Sequence, residues 1–243
     1  MPAASSAERA EPAPADQPLP VFALPAGRRL AMVALGYLPF LHAAAVALAL
    51  ALPLAGLASR RWLLLAPALL FLLPPLAVRI CLLIHPLPRG AVELGSGAFL
   101  LWWLTAQWQV IFNRLTFLEE LLRLVPGLYG TWLRLWGARV GRLVYFAPEC
   151  RIVDRPLVAI GDGVLLALGA RLSPHLVSRG EDGVTRLLLA PIEIGDGALI
   201  GGHSWLGPGV VVAAGEMTPA VYALPAFSRF EGGKRIHHHP TLI

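Results

Sequence analysis

Two histidines, His175 and His203, are the side chains of this sequence best suited to acid–base chemistry. An imidazole has an ordinary pKa near ~6.5, so it can accept a proton from a hydroxyl or an amine at cellular pH. Glu149, Asp154 and Glu193 are the carboxylates that could orient such an imidazole, and the sequence does not choose among them. We take Glu193 as the working choice. Without such a role, both histidines are ordinary polar residues at the edge of a fold.

Aliphatic residues recur every six positions around these histidines. The three runs are Val140, Phe146 and Ile152; Ile160, Leu166 and Leu172; and Ile194, Ile200, Leu206 and Val212. A period of six fits neither an α-helix nor an amphipathic strand, so it indicates a repeat architecture. We predict a solenoid in which each hexad forms one short strand, the aliphatic residue points inward, and three hexads make one turn.

The repeat is interrupted after Leu176. Residues 177–190 fit no hexad, and the pattern resumes in the sequence APIEIGDGALIGGHSWLGPGV. An extruded loop costs little, because the coils on either side of it still stack, and loops of this kind often carry function. His175 lies directly before the loop, which makes the loop edge the predicted functional site.

From residue 140 onward the chain resembles the acyltransferases with hexapeptide repeats and a left-handed parallel β-helix. In the serine and sugar O-acetyltransferases of that family, a histidine precedes such a loop and a PI.IGd..wIG....i.PGV pattern follows it. The resemblance implies that His175 is the general base. An activated oxygen or nitrogen then attacks a thioester directly, without a covalent acyl-enzyme. If the register of the family has shifted here, His203 is the base instead.

The same resemblance implies a coenzyme A thioester as donor: acetyl-CoA, another acyl-CoA, or the related thioester of a carrier protein. In the family the pantetheine arm follows the coil edges, commonly between the subunits of a trimer. The residues matched to this role are Gly201, Gly202, Pro208 and Gly209, with Lys234 and Arg235 for the phosphates.

No metal is expected. The adjacent histidines His237, His238 and His239 point in different directions and resemble a tail more than a metal site. A γ-class carbonic anhydrase would need three well-spaced histidines as zinc ligands, and His175 with His203 provides only two.

The composition indicates a membrane protein. Of the 243 residues, 56% are hydrophobic and only 14% are charged, both far from the averages for soluble domains. The net charge of +5 comes almost wholly from arginine, and Lys234 is the only lysine. This basicity suits an anionic membrane or a phosphate-bearing cofactor, and since no nucleic-acid motif accompanies it we exclude nucleic acid as a partner.

Two apolar stretches in the first half predict membrane-spanning helices. Leu30–Ala58 and Trp62–His85 are each long enough to cross about 30 Å of hydrocarbon, and the short link between them requires a hairpin. The arginines flanking the stretches slightly favour both termini in the cytoplasm, at a bacterial-type inner membrane. The next apolar run, residues 97–112, is rich in tryptophan and is predicted to lie in the interface; a third span is the alternative.

The predicted fold class is therefore a membrane α-helical hairpin with interfacial helices, followed by a short left-handed parallel β-helix. The predicted segments are a disordered tail (1–29), the hairpin (30–89), interfacial amphipathic helices (90–139), the β-helix (140–217, with loop 177–190) and a C-terminal extension (218–243).

A narrower resemblance concerns TWLRLWGARVG, residues 131–141. It is similar to the start of the membrane-linked hexapeptide domains of some proteins that resemble non-ribosomal peptide synthetases. We expect a membrane-anchored acyltransferase, a trimer by the family pattern, that acylates a hydroxyl or amine of an amphiphilic acceptor. The alternatives are a non-catalytic membrane scaffold of a biosynthetic complex, and an aminoacyl or peptidyl transferase that works with a separate adenylation or carrier protein.

Overall fold

The computed structural model describes residues 24–180 and 182–237. Residues 1–23, most of the predicted tail, lie outside this range, as do His238 and His239. The first helix begins at Ala26, so the last four residues assigned to the tail are helical. Its helical start follows from Pro25, whose fixed φ suits the position before a first turn.

Seven α-helices form most of the chain before residue 137 in the described part. They are α1 (Ala26–Gly36), α2 (Leu38–Leu54), α3 (Leu65–Phe71), α4 (Leu73–Ile84), α5 (Gly97–Arg114), α6 (Phe117–Arg123) and α7 (Leu128–Trp136). Together α1 and α2 run as one apolar helix of 29 residues, Ala26–Leu54. Within the described residues, this is the one helix long and apolar enough to cross a membrane by itself.

The second predicted span is bent. The helical segment Arg60–Phe71 meets Leu73–Ile84 at an angle of 47°, and only if this bent pair is counted as one span is there a second candidate for crossing a membrane. The bend falls at Leu72, directly before a helix whose first turn contains Pro74 and Pro75. Proline lacks an N–H and disfavours helical backbone in the preceding residue, so continuous hydrogen bonding stops there.

The segment predicted as interfacial helices, residues 90–139, is not entirely helical. It begins with β1 (Gly90–Glu93), which pairs antiparallel with a strand from the second half of the chain. Helix α5 then buries one face against the second half of the protein, through Phe99, Trp102, Thr105, Gln109 and Phe112 among others. These residues recur at helical spacing, so α5 connects the two halves of the molecule.

The remaining strands run from residue 139 to residue 237. They are β2 (Arg139–Val140), β3 (Tyr145–Phe146), β4 (Arg151–Ile152), β5 (Val158–Ile160), β6 (Leu165–Leu166), β7 (Arg171–Leu172), β8 (His175–Arg179), β9 (Thr185–Leu189), β10 (Ile192–Ile194), β11 (Leu199–Ile200), β12 (Trp205–Leu206), β13 (Val211–Val212), β14 (Ala223–Leu224), β15 (Ser228–Glu231) and β16 (Lys234–His237).

These short strands build three parallel sheets that the chain visits in rotation. The first face holds β2, β5, β10, β13 and β15, the second holds β3, β6 and β11, and the third holds β4, β7, β12 and β14. This is the order of a three-sided parallel β-helix. The aliphatic residues of the hexads are buried inside it, with Ile160, Ile194 and Val212 in register on the first face.

The coil continues past residue 217, where the sequence predicted its end. Thr218 is buried at the next inward position, and Leu224 and Phe230 follow it at six-residue intervals. The Thr218 hydroxyl accepts a hydrogen bond from the backbone N–H of Gly201 at 2.9 Å. The polar Thr218 interrupts the aliphatic pattern, which makes this part of the repeat hard to recognise in the sequence. Strands β14 and β15 continue the register of the third and first faces, and therefore belong to the coil and not to a separate extension.

The predicted loop 177–190 is a β-hairpin. Strands β8 and β9 pair antiparallel over five residues, and β9 pairs on its other edge with β1. The hairpin thus joins the helical half to the coil as a three-stranded sheet, β1-β9-β8. Leu187 and Leu189 on β9 are fully buried, which explains why this insertion is ordered.

Candidate active site at one corner of the coil

One corner of the coil brings His175 and Asp154 together. The third-face strands β4 and β7 pair in parallel register, with Ile152 opposite Leu172. Asp154 follows Ile152 by two positions and His175 follows Leu172 by three, so both residues leave the third face at the same corner of consecutive coils. A separation of 21 residues in sequence becomes direct contact in space.

His175 Nδ1 is hydrogen-bonded to Asp154 Oδ2. An ionised carboxylate only accepts hydrogen bonds, so the Nδ1 position carries the proton, and in the neutral imidazole Nε2 keeps its lone pair. The Asp154 side chain is 2% exposed, whereas that of His175 is 29% exposed. The pair is therefore a buried carboxylate that orients a partly accessible imidazole, the arrangement required of a general base.

The other oxygen of the Asp154 carboxylate is bound by a tryptophan from the helical half. Trp102 Nε1 on α5 donates a hydrogen bond to Asp154 Oδ1 at 3.0 Å. The Trp102 and His175 rings also meet edge to face, with centroids 5.0 Å apart and planes inclined by 62°. Trp102 thus contacts both members of the pair, and the site is shared between the helices and the coil.

The charge state of His175 depends on two opposing effects. Burial lowers the pKa of His175, but the hydrogen bond to Asp154 and the negative charge of that carboxylate outweigh it, so the pKa is raised overall. A higher pKa makes the imidazole a stronger base. The structure therefore strengthens His175 for proton abstraction.

The Asp154 backbone is fixed by its neighbour. Asp154 adopts the left-handed conformation with φ of +49°, which is uncommon for a residue other than glycine. The next residue, Arg155, donates its backbone N–H to Gln109 Oε1 at 2.9 Å, and Arg155 Nη1 donates to the same oxygen at 3.1 Å. Helix α5 therefore binds two consecutive residues of the corner, Asp154 through Trp102 and Arg155 through Gln109.

The Arg155 side chain is buried in a polar network among the helices. Its Nε donates to Glu119 Oε1 at 2.9 Å, and the second oxygen of Glu119 accepts a hydrogen bond from the Tyr129 hydroxyl at 2.8 Å. Arg155 and Glu119 are 1% and 4% exposed. Burial raises the pKa of Tyr129, which keeps this hydroxyl protonated as a donor. The network connects α5, α6 and α7 to the corner that carries Asp154.

Trp102, which contacts both members of the pair, belongs to an apolar cluster on the side of the helices. A cluster of buried residues contains Trp102 together with Met32, Val92, Phe99, Leu157, Leu187 and Leu189. These residues come from α1, β1, α5, the corner itself and β9. An apolar environment strengthens the electrostatic effect of Asp154 on His175 because little water screens it.

The predicted orienting residue Glu193 does not take this position. It lies on β10 in the first face, half exposed, and forms an ion pair with Arg139 at 3.5 Å. Arg139 and Glu193 both lie beside Ala159 in the parallel register of this face. Of the three carboxylates considered from the sequence, Asp154 is the one that contacts His175. Asp154 leaves the coil at the same corner as His175, whereas Glu193 lies on the first face.

His203 lies at a different corner, between the second and third faces. It is exposed, has a φ of +56°, and its ring lies against Gly169 of the coil below. Gly201 and Gly202 lie at this corner too, so the structure separates them from His175. Pro208 and Gly209 lie at the His175 corner one coil further on, where the Gly209 N–H donates to the carbonyl of Ala190 at 3.3 Å.

Lys234 and Arg235 lie on β16, which folds back antiparallel on β15 at the edge of the first face. Both are exposed. Of the three consecutive histidines, His237 ends β16, and the other two lie outside the described residues. In residues 24–180 and 182–237 no cluster of three histidine, cysteine, aspartate or glutamate side chains is placed to hold a metal ion.

Sequence reasoning missed the role of Trp102, which it attributed to the membrane interface. One signal was present: Trp102, Thr105 and Gln109 form a stripe of hydrogen-bonding side chains at helical spacing within an apolar helix. Such a stripe indicates a face that is buried against protein.

Comparisons with known proteins give matches among solved structures. A hexapeptide-repeat acetyltransferase from Vibrio cholerae with bound acetyl coenzyme A is 17% identical, covering 54% of this chain and 87% of that chain with a TM-score of 0.36. A galactoside acetyltransferase in complex with coenzyme A is 18% identical, covering 54% and 82%, with a TM-score of 0.31. A maltose O-acetyltransferase from Clostridium difficile is 15% identical, covering 53% and 86%, with a TM-score of 0.25.

These structural neighbours are acetyltransferases. The similarity is partial and distant, and it concerns about half of the present chain. No family model matches the sequence, and no curated protein matches it.

Proposed function

We propose that the protein is an acyltransferase that moves an acyl group, in the simplest case acetyl, from a thioester to a hydroxyl or an amine. The contact that carries this proposal is the hydrogen bond between His175 and the buried carboxylate of Asp154. It lies at the edge of a hexad-repeat coil, beside an inserted hairpin, which is where the resemblance seen in the sequence places the general base.

The reaction follows from the geometry of the pair. His175 Nε2 removes the proton of the acceptor as its oxygen or nitrogen attacks the thioester carbonyl, and a tetrahedral intermediate forms. The C–S bond then breaks, and His175 returns the proton to the departing sulfur, so the free thiol and the acylated acceptor leave. Asp154 holds the Nδ1 proton throughout and stabilises the imidazolium that forms between the two steps.

We further propose a left-handed coil and a coenzyme A or carrier-protein thioester as donor. Pro208 and Gly209 support this because they continue the His175 corner by one coil, a course that an extended pantetheine arm can follow. Lys234 and Arg235 offer exposed positive charge for the donor phosphates at the edge of the first face. Gly201, Gly202 and a trimeric assembly, in which a neighbouring subunit completes the donor site, remain part of this proposal.

The proposed acceptor is amphiphilic, and the proposed location is a bacterial-type inner membrane with both termini in the cytoplasm. Of an apolar stretch of 18 residues in the Ala26–Leu54 helix, only 11% is buried within the protein. Its exposed apolar side chains include Leu30, Phe40 and Leu54, at 69%, 68% and 77% exposure. So large an apolar surface is stable when lipid covers it. The resemblance of residues 131–141 to the membrane-linked hexapeptide domains of synthetase-like proteins is a further ground for this part of the proposal.

The decisive experiment is mass spectrometry of the detergent-purified protein after incubation with acetyl-CoA and a cell-lipid extract. A parallel reaction contains an acetyl thioester of a carrier protein, and both are repeated with His175→Ala. A new acetylated species that only the unsubstituted protein forms establishes transfer, identifies the donor and gives the acceptor mass. Equal product from both proteins would exclude His175, and absence of product with either donor would favour a non-catalytic scaffold.

A further inference from the structure

A cavity of about 320 Å³ lies where α4 meets the first coil, and its lining is basic and apolar. Arg79 and Arg89 provide the charge, and Leu82, Leu87 and Trp136 are among the apolar lining residues. The lining contains no aspartate or glutamate. This combination differs from the His175 site, where the charged group is a carboxylate.

The positive charge of this cavity is not neutralised within the described protein. Arg79 and Arg89 are both exposed, and neither has an ion-pair partner in residues 24–180 and 182–237. A second cavity of about 490 Å³ shares Arg79 and Gly137 with the first and is lined also by Arg134 and Arg139. Of these two, Arg139 pairs with Glu193, and Arg134 binds the carbonyls of Val140 and Gly141. Arg79 and Arg89 are therefore the cations left for a ligand.

Arg79 lies against the turn that ends α7. Gly137 adopts a φ of +103°, and a Cβ at this position would lie 3.2 Å from Arg79 Nη1. A side chain at this position would crowd the guanidinium, whereas glycine leaves room for it beside the turn. The charge therefore lies close to the turn, and a planar guanidinium suits bidentate binding of a phosphate.

The cavity adjoins both the candidate active site and an exposed apolar surface. Pro156 and Leu157, which line it, follow Asp154 in the same corner, and Leu157 also packs in the apolar cluster around Trp102. On the outer side, α4 exposes Ile80 and Leu83, at 58% and 72%. A molecule in the cavity can therefore place its charged group beside the two arginines and its apolar part along the surface of α4.

We propose that this cavity binds an anionic amphiphile, with its phosphate head group between Arg79 and Arg89 and its hydrocarbon along α4. Guanidinium and phosphate form strong charge-assisted hydrogen bonds, and the apolar rim covers part of the chain. Because Pro156 and Leu157 of its lining follow Asp154 in the same corner, we assign this cavity as the site that anchors the acceptor. That last step rests on the proposed function, whereas binding itself does not.

The test measures binding to the full chain in uncharged detergent by isothermal titration calorimetry. The probes are short-chain phosphatidic acid, phosphatidylcholine with the same chains, and inorganic phosphate. The variants are Arg79→Gln and Arg89→Gln. Arg61→Gln is the matched control, since it removes the same charge from the other end of the bent helix pair. Circular dichroism melting confirms that each variant is folded.

We expect phosphatidic acid to bind about tenfold or more tightly than either other probe, and each cavity variant to weaken it about tenfold. Arg61→Gln should bind as the unsubstituted protein does. Equal binding of phosphatidic acid and phosphatidylcholine, equal binding of inorganic phosphate, or normal binding by both cavity variants would overturn the proposal. His175→Ala should bind phosphatidic acid as the unsubstituted protein does. The transferase proposal and this binding site can therefore fail independently of each other.

Discussion

Trp102 on the apolar helix α5 donates its indole N–H to Asp154 on the coil, at 3.0 Å. The same carboxylate binds Nδ1 of His175, so one buried group receives a hydrogen bond from each half of the chain. The catalytic pair that we propose is therefore completed by a residue outside the repeat. The helical half is therefore part of the site.

The first prediction concerns the two histidines. His175→Ala should lower kcat by about 10²–10⁴-fold, because a positioned general base contributes that much to proton transfer. His203→Ala removes the same side chain from an exposed position at another corner and should stay within about twofold. Steady-state assays of acyl transfer give kcat for both variants. A larger loss of kcat in His203→Ala than in His175→Ala would place the active site at the other corner.

The second prediction concerns the pH dependence. As a base, His175 must be neutral, so kcat/KM should rise with pH through a pKa that lies above the ordinary ~6.5. Asp154→Asn removes the charge that raises this pKa, so the rising limb should move to lower pH while kcat falls about 10²–10⁴-fold.

Glu193→Gln is the control for this pH experiment, because Glu193 pairs with Arg139 on another face. This substitution should leave unchanged both kcat and the pH at which kcat/KM rises. A pH profile whose limb stays in place in Asp154→Asn would show that His175 is not the titrating base.

The third prediction tests the contribution of α5. Trp102→Phe removes one charge-assisted hydrogen bond from Asp154 and keeps an aromatic ring, so kcat should fall by about tenfold with a smaller change in KM. If Trp102 acts through Asp154, the substitution should have little further effect in an Asp154→Asn background, because coupled residues are not additive.

Trp103→Phe is the matched control, since the neighbouring indole donates to the carbonyl of Met32 at 3.2 Å. Its kcat should match that of the unsubstituted protein. Additive losses in the double variant, or an equal loss in Trp103→Phe, would mean that Trp102 contributes only to folding.

The fourth prediction concerns the buried network beneath the site. Glu119→Gln leaves the Arg155 guanidinium buried without its anion and should lower the free energy of unfolding by roughly 3–5 kcal/mol. Thermal and denaturant unfolding in detergent measure this loss. Glu231→Gln removes a carboxylate from the exposed pair with Arg229 and should leave stability unchanged; equal stability of the two variants would contradict a structural role for the network.

Much of the coil could be read from the sequence, because its inward residues repeat every six positions and each hexad forms a strand by local rules. The end of the coil could not, since Thr218 takes an inward position and is satisfied by the N–H of Gly201, a contact between coils. The sequence predicts a loop in place of the hairpin β8-β9, because the pairing that orders this segment is also long-range. Its partner strand β1 lies more than 80 residues earlier in the chain.

The sequence by itself determined the repeat, its interruption after Leu176, the apolar character of the first half and the candidacy of His175. Only the tertiary structure decided which carboxylate serves that histidine and which helix supports the carboxylate. Asp154, His175 and Trp102 come from two coils and a helix, and no local pattern relates them. Their contacts depend on how the corner stacks and on how α5 packs against it, and packing of distant segments leaves no fixed spacing in a single sequence.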